Sequence, residues 1–400
     1  MKIFILTKEP YPNGMAATNR IKCYARAIKE GGLDCEVVIY GTTEISGEKV
    51  RNTQAIGSYE GVPYRYIGGK TTGSQITLIR KVKQFLNQLH TEKYLKQKLQ
   101  KGDVLFYFTG WKKAKLMLHF MKAARSNEAY CVRDLCELPF GTGAETPMAI
   151  NLRRITLEKY FPLMDGIISI SDALFNLAKE NTPSGCKHIK VPIMVEYEHY
   201  RIEDRSAESE VPFIFHSGSL LQQKDGILGM IEAFGMAKQQ LQKPIKYVLT
   251  GNIEASSHPA ELRRLIERYN IEDSIEFVGF LFRDQVKDYL SRASLVISNR
   301  PKSQQDYYGF STKVGEYLAS GTPLITTNWG EAANWLKDGE SAYIVEPENT
   351  EALADAIVRV FTNPEEAHRI GLTGQELCRR SFDYRNWSQP LVSFFKNIDK

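Results

Sequence analysis

The chain has 400 residues, 42% of them hydrophobic and 25% charged, with a net charge of +5. That length exceeds what one core usually holds, so two domains are expected. The composition is ordinary for a globular protein, and no run of 18 apolar residues occurs, so no membrane-spanning helix is expected.

The first residues read MKIFILTKEPYP, and the apolar run between Lys2 and Lys8 is too short for a signal-peptide core. A cytoplasmic location is therefore expected. Cys23, Cys35, Cys131, Cys136, Cys186 and Cys378 are scattered without CxxC spacing. They read as free thiols packed like small apolar side chains. With seven His and no tight Cys/His cluster, no structural metal site is expected.

Taken in chain order, KIFIL (2–6) reads as a short buried strand, followed by a loop carrying Pro10, Pro12 and Gly14. A helix over 17–30 ends at Gly31-Gly32, and EVVIY (36–40) and GVPYRYI (61–67) read as strands. Between 80 and 101 lie Arg80, Lys81, Lys83, Lys93, Lys96, Lys98 and Lys101 against one acid, Glu92. Leu78, Val82, Phe85, Leu86, Leu89 and Leu95 recur there at roughly helical spacing. This basic amphipathic helix fits either a solvated face over the core or peripheral contact with an anionic membrane surface. No motif supports nucleic acid as a partner.

VLFYF (104–108), a helix over 112–125, AYCV (129–132), a helix over 151–161, GIISIS (166–171) and HIKVPI (188–193) continue the alternation. The polar, charge-rich segment 196–210 breaks it and reads as the inter-domain connection. The alternation then restarts with PFIFHSG (212–218), a helix near 226–239, YVLTGN (247–252), a helix from Pro259, and IEFVGF (275–280). A short helix over 284–290, ASLVISN (293–299), a long loop over 300–309, a helix from Ser311 and AYIVEP (342–347) follow. Strand–helix alternation of this kind predicts parallel sheets covered by helices, in two doubly wound halves facing a central cleft. The expected division is 1–195, completed by a last helix over 384–400, and 196–383.

Three loops at expected strand ends suit an anion. In YYGFSTKVGEYLASGTPLITT (307–327) the free N–H groups of a helix start follow Gly309, Phe310 and Ser311, with Thr312 and Lys313 beside them. Glu316, one turn further in, can accept two hydrogen bonds from a vicinal diol such as a ribose. Phosphate and diol together describe a nucleoside diphosphate. An ordinary helix capped by Ser311 remains open as the alternative. HSGSLLQQKDG (216–226) places Gly218, Ser219 and Lys224 in a second such loop, and EPYPNGMAATNR (9–20) places Gly14 in a third.

These segments resemble the GT-B glycosyltransferases, specifically the retaining, family-4-like group. KVGEYLASGTPLITT looks like that group's helix-plus-strand signature, HSGSLLQQKDG like its diphosphate loop, and FVGFLFRDQVKDYLSRASLVIS (277–298) like its nucleobase region. The resemblance implies a retaining transfer of sugar from a nucleotide-diphosphate sugar to a glycan or lipid-linked acceptor. It implies that Glu316 binds the donor ribose, that Lys224 neutralises the leaving diphosphate, and that Gly14 lies near the phosphates. Backbone around Phe280–Phe282 is then expected at the base, and Gly309, Phe310 and Ser311 beside the sugar and phosphates. The donor nucleotide sugar is a substrate, and no cofactor or metal is expected, since no Asp-x-Asp occurs.

Three positions depart from the pattern. Tyr308 stands where the group's first Glu is expected, and Ser219 where many members carry Arg. Arg133-Asp134 stands where many members carry His-Asp. Asp134 or Glu137 is then expected either to meet the sugar or acceptor catalytically, or to form a buried ion pair with Arg133 or Arg153. Two other readings stay open: a degenerate nucleotide-binding subunit without turnover, and a sugar-nucleotide epimerase.

Overall fold

The computed structural model describes residues 1–108, 114–139, 146–203 and 209–398. The chain divides into two compact units, one of Met1–Met194 with Tyr384–Lys400 and one of Val195–Asp383.

The first unit runs β1 (Lys2–Thr7), α1 (Ala16–Glu30), β2 (Asp34–Ile39), β3 (Glu44–Ile45), β4 (Ile56–Tyr59), β5 (Val62–Tyr66), β6 (Thr72–Gly73), α2 (Thr77–Lys98), β7 (Val104–Phe108), α3 (Ala114–Arg125), β8 (Tyr130–Leu135), α4 (Pro147–Ile155), β9 (Gly166–Ser169), α5 (Asp172–Asn181) and β10 (Lys187–Lys190). Its described residues form an eight-stranded sheet in the order β10-β9-β8-β7-β1-β2-β5-β4, parallel except for the β4–β5 pair. Helices cover both faces of a parallel sheet, so its central strands carry near-continuous apolar runs such as VLFYF, every residue of which is buried. The β4–β5 hairpin was absent from the sequence reading. Glu60 and Gly61 turn it with φ of 49° and 74°, the left-handed pair that a two-residue hairpin requires.

The second unit runs α6 (Tyr197–Tyr200), β11 (Phe213–His216), α7 (Gln222–Asp225), α8 (Ile227–Leu241), β12 (Lys246–Leu249), α9 (Pro259–Tyr269), β13 (Ile275–Phe277), α10 (Arg283–Arg292), β14 (Leu295–Ser298), α11 (Gln304–Tyr308), α12 (Thr312–Ser320), β15 (Leu324–Thr327), α13 (Ala332–Trp335), β16 (Tyr343–Val345), α14 (Thr350–Thr362) and α15 (Pro364–Ser381). Its six strands are all parallel, in the order β13-β12-β11-β14-β15-β16. Strand order reverses between β11 and β14, and ligands of open α/β sheets bind beyond the carboxyl ends at such a point. The chain then returns to the first unit as α16 (Ser388–Lys396). Leu391, Val392 and Phe395 of α16 join the first core beside Ile21, Tyr24 and Ile28 of α1.

Two expectations are corrected. The segment 196–210 is not only a polar connection, because α6 buries Tyr197 and Tyr200 and packs on α12. The stretch 300–309 is not an open loop either. It contains α11, whose first turn is capped by the Ser303 hydroxyl accepting the Asp306 N–H at 3.1 Å. Among the described residues, no helix is long and apolar enough to cross a membrane.

Candidate active site

The switch point of the second sheet brings the end of β11 beside the end of β14. The β11 strand ends in His216, and Ser217, Gly218 and Ser219 form the turn toward α7. Each backbone N–H of this turn donates within the unit. Ser217 donates to the Tyr317 hydroxyl at 2.8 Å, Gly218 to the Thr250 hydroxyl at 2.8 Å, and Ser219 to Asp225 Oδ2 at 3.1 Å. The N–H groups of this turn are thus spent within the unit.

Gly218 instead makes room for a charge. A Cβ there would lie 2.1 Å from His216 Nε2 and 2.9 Å from Lys313 Nζ. Lys313 enters from the first turn of α12 and its ammonium donates to Asp225 Oδ1 at 2.5 Å. The Ser219 hydroxyl donates to the other oxygen of that carboxylate at 3.1 Å. Burial works against the Asp225 charge, but the Lys313 ammonium outweighs it and holds the carboxyl well below its usual range. Burial likewise draws the Lys313 ammonium below its ordinary value, against the opposing pull of Asp225.

His216 is fully buried, and burial, aided by the Lys313 charge, pushes it down to about 4. Its ring is therefore neutral at physiological pH. Nδ1 lies 3.0 Å from the Ile297 carbonyl oxygen, which can only accept, so Nδ1 carries the proton. Nε2 is left as a buried acceptor without a hydrogen bond, 3.7 Å from Asp225 Oδ1.

Ser311 occupies the N-cap of α12 but its side chain caps nothing, so the helix start is open to an incoming acceptor. A small pocket adjoins it, lined in part by Arg300, Asp306, Gly309, Phe310, Ser311 and Trp329. Arg300 is locked by Asp306, which accepts its Nε at 2.7 Å and the Ser303 hydroxyl at 2.7 Å.

Residues 201–377, nearly all of this unit, match the family described as Glycosyl transferases group 1. The second unit thus resembles a group 1 glycosyl transferase domain. A Salmonella typhimurium protein named for colanic acid biosynthesis, WcaL, is 26% identical over 245 residues, covering 60% of this chain and 59% of that protein. The chain thus spans little more than half the length of that curated relative. Across the whole chain the fold is that of sucrose-phosphate synthase from Thermosynechococcus elongatus, with a TM-score of 0.74, 16% identity, and 100% and 99% of the two chains covered. Anabaena HepE in complex with UDP gives 0.70 at 14% identity, covering 99% and 100%.

Within the second unit, Glu316 is half-buried on α12, and its carboxylate accepts the Tyr200 hydroxyl of α6. Burial, then the Glu316 charge, drive that phenol well above its usual range. Tyr200 also accepts Arg283 Nε at 3.2 Å, and Arg283 pairs with Glu196. The stretch read as a linker thus orients the carboxylate singled out from sequence. Phe282 is the N-cap residue of α10, and its ring meets Phe280 edge-on at 5.4 Å; the two rings are 40% and 50% exposed. Lys224 is exposed on α7 and joins none of the ion pairs around Asp225. Thr312 is half-buried as the first residue of α12.

Two residues of this segment also serve the fold of their own unit. Phe310 turns inward and packs edge-on against Phe382 at 5.6 Å, so only one face of it remains a pocket wall. Gly309 is required by its own chain, since a Cβ there would lie 2.8 Å from the Gln305 carbonyl oxygen.

The remaining predicted residues lie in the first unit. Gly14 sits between β1 and α1, where a Cβ would lie 2.0 Å from the Thr18 hydroxyl oxygen, itself bonded to the Pro10 carbonyl at 2.6 Å. Asp134, expected as a catalytic group, is corrected. Its side chain has no exposed surface, and it accepts Arg20 Nε at 3.2 Å, Arg20 Nη2 at 3.0 Å and the Tyr24 hydroxyl at 2.5 Å. It is a buried ion pair, and its partner is Arg20 rather than Arg133 or Arg153.

Sequence reasoning missed Asp225, His216, Arg300 and Tyr200. The signals available were the acid following Lys224, the basic residue at the end of β14, and two tyrosines three apart in a charged stretch.

Proposed function

We propose that the protein is a retaining glycosyltransferase of polysaccharide assembly, moving sugar from a nucleotide-diphosphate sugar to a glycan or lipid-linked acceptor. The observation that carries this reading is the Lys313 ammonium, fixed by Asp225 against Gly218 at the open start of α12. An ammonium has three donors, and Asp225 takes one. The others and the helix-start N–H groups are set to receive a diphosphate without rearrangement. Glu316, held by Tyr200, keeps lone pairs for the ribose hydroxyls. The exposed Phe280 and Phe282 supply apolar surface for a base. Lys224, on a mobile four-carbon stem, is the second cation for the departing diphosphate. Tyr308 in place of a carboxylate makes the sugar pocket less charged. The family of the second unit and a relative named for colanic acid biosynthesis support the reading.

HepE was solved with UDP, which makes UDP the first nucleotide to try. The test is a thermal-shift panel of UDP, GDP, ADP, dTDP and CMP against wild type, Lys313→Met and Glu316→Gln. A ligand at ~100 times its dissociation constant stabilises by ~2.7 kcal/mol. One nucleotide should shift the wild type and neither variant. No shift with any nucleotide would sink the reading. Binding without transfer from the matching nucleotide sugar would favour the degenerate subunit.

A further inference from the structure

Helix α2 buries a face that is mostly polar. Asn87, Thr91 and Leu95 are buried, and the Tyr94 hydroxyl donates to Glu36 at 2.8 Å. Glu92 is held by His119 of α3 at 2.5 Å and by Lys96 at 2.6 Å. The side opposite Asn87, Thr91 and Leu95 carries Leu78, Ile79, Val82, Phe85, Leu86 and Leu89, each between 41% and 71% exposed, with Glu92, so engaged by His119 and Lys96, at its edge. At 3.6 residues per turn these six side chains fall within an arc of roughly 120°. Lys81 and Lys83, both exposed, stand one on either edge of that arc. Leu95, which the sequence periodicity assigned to the same stripe, is buried on the other face.

Charge selects what covers this stripe. No Asp or Glu occurs from Gly61 to Thr91, while Arg80, Lys81 and Lys83 lie along the helix. Arg80 is turned away to the carbonyl of Ser74 at 2.9 Å, which leaves Lys81 and Lys83 to face the occupant. A second copy docked through the same stripe would bring these lysines against one another. An anionic lipid surface satisfies both halves at once: apolar side chains enter the headgroup boundary while flanking ammonium groups meet phosphates.

We propose that the amino-terminal half of α2, residues 77–89, lies in the plane of an anionic membrane with its apolar stripe buried among the lipids. This gives the surface on which a lipid-linked acceptor is met, and it rests on the transferase reading only for that purpose.

The test is flotation of the full chain with vesicles of phosphatidylcholine alone and of phosphatidylcholine mixed equally with phosphatidylglycerol. Wild type should partition roughly tenfold more onto the anionic vesicles, less in high salt. The pair Phe85→Ser/Leu86→Ser should abolish partition, and Lys81→Gln/Lys83→Gln should erase the preference for anionic lipid. Both pairs should keep the wild-type circular dichroism spectrum and a cooperative thermal transition, which report an intact fold. In Phe85→Trp, emission should move to the blue on anionic vesicles beyond any change in wild type. Equal partition onto both vesicles, no partition at all, or wild-type partition by the serine pair would each overturn the proposal. So would a dimer that the serine pair dissolves in a protein that ignores vesicles. Loss of nucleotide binding in the panel above would leave this result untouched.

Discussion

Each unit holds a buried carboxylate paired with a cation near the carboxyl ends of its strands, Asp134 with Arg20 and Asp225 with Lys313, and the two pairs differ in what they leave open. In the first unit Asp134 receives two donors from Arg20 and one from Tyr24, while Arg20 spends its remaining donors on the Tyr24 oxygen and the carbonyls of Val191 and Pro192. Each guanidinium nitrogen of Arg20 has an acceptor and both side chains are buried, so the cluster holds α1, β8 and the strand end at 191–192 together and is closed to a ligand. In the second unit Asp225 is nearly as buried, but its cation is a lysine with donors to spare, beside a glycine whose missing side chain keeps the approach open. A neutral histidine nitrogen without a partner lies beside it. A buried ion pair is thus a strut when its hydrogen bonds close on themselves. In the proposed function it becomes a binding site when one partner keeps donors toward an opening.

The largest effect should come from breaking the closed pair. Asp134→Asn leaves the Arg20 charge buried without compensation, which costs about 3–5 kcal/mol. Denaturant unfolding should show this loss in the transition of the first unit, with the nucleotide shift of the folded protein unchanged. A loss below about 1 kcal/mol would mean that the cluster is not the strut described.

Breaking the open pair should act on ligand before fold. Lys313→Met removes the fixed ammonium and should weaken nucleoside diphosphate binding by about 2–4 kcal/mol, judged from electrostatic stabilisers of similar geometry. The bare nucleoside should bind as to wild type. Because Asp225 would then stand unpaired, Lys313→Met/Asp225→Asn is the companion. It should recover stability without recovering diphosphate affinity. Recovery of both would show that Lys313 only neutralises Asp225.

How much of this was legible beforehand follows from the range of each interaction. Central strands such as β1, β7 and β14 were readable because a doubly covered parallel strand writes itself as a local apolar run. The open start of α12 and Glu316 were readable because cap, glycine and acid lie within a few residues. The β4–β5 hairpin was lost because Glu60-Gly61 is not the usual Asn-Gly signal. Asp134 was given the wrong partner because Arg133 and Arg153 are near in sequence, whereas Arg20 lies 114 residues away. Lys313 and Asp225 are 88 apart, so their pairing is a property of strand order at the β11/β14 switch. Helix α6 was missed because two buried tyrosines in a charged segment carry no apolar run.

The histidine of the open pair offers a third contrast. Its proton affinity is lowered on folding, so below the unfolded value the unfolded chain binds a proton that the native ring refuses. Stability of the second unit should therefore be full above pH 6.5 and fall as pH drops toward about 4, where the native ring also protonates. Between pH 7 and pH 5 one such histidine accounts for about 2 kcal/mol. His199 on α6 is depressed to about 4 by burial and then by Arg283, and adds in the same direction. His216→Asn, which keeps a donor for the Ile297 carbonyl, should flatten the acid slope by roughly the share of one histidine. An unchanged slope would place the acid sensitivity elsewhere, since the closed pair of the first unit contains no histidine.

The smallest effect should be that of Lys224, and its size decides how the two lysines divide the work. The side chain is exposed and outside the ion pairs, so Lys224→Ala should change stability by less than about 0.5 kcal/mol. A flexible, hydrated ammonium loses side-chain entropy when it settles on a phosphate, so its net contribution to nucleotide affinity should stay near that of an exposed pair, about 1 kcal/mol or less. Lys313 is already immobilised by Asp225 and incurs no such cost. Titration of the nucleotide found in the panel should therefore rank Lys313→Met well above Lys224→Ala in lost affinity. Turnover can rank them differently, because charge on the diphosphate grows as the sugar leaves and an ammonium that arrives late acts on the transition state more than on the bound substrate. If Lys224→Ala lowers kcat while leaving affinity nearly intact, the fixed lysine binds the diphosphate and the mobile one carries it away. If it lowers affinity as much as Lys313→Met, the distinction between preset and recruited charge in this loop fails.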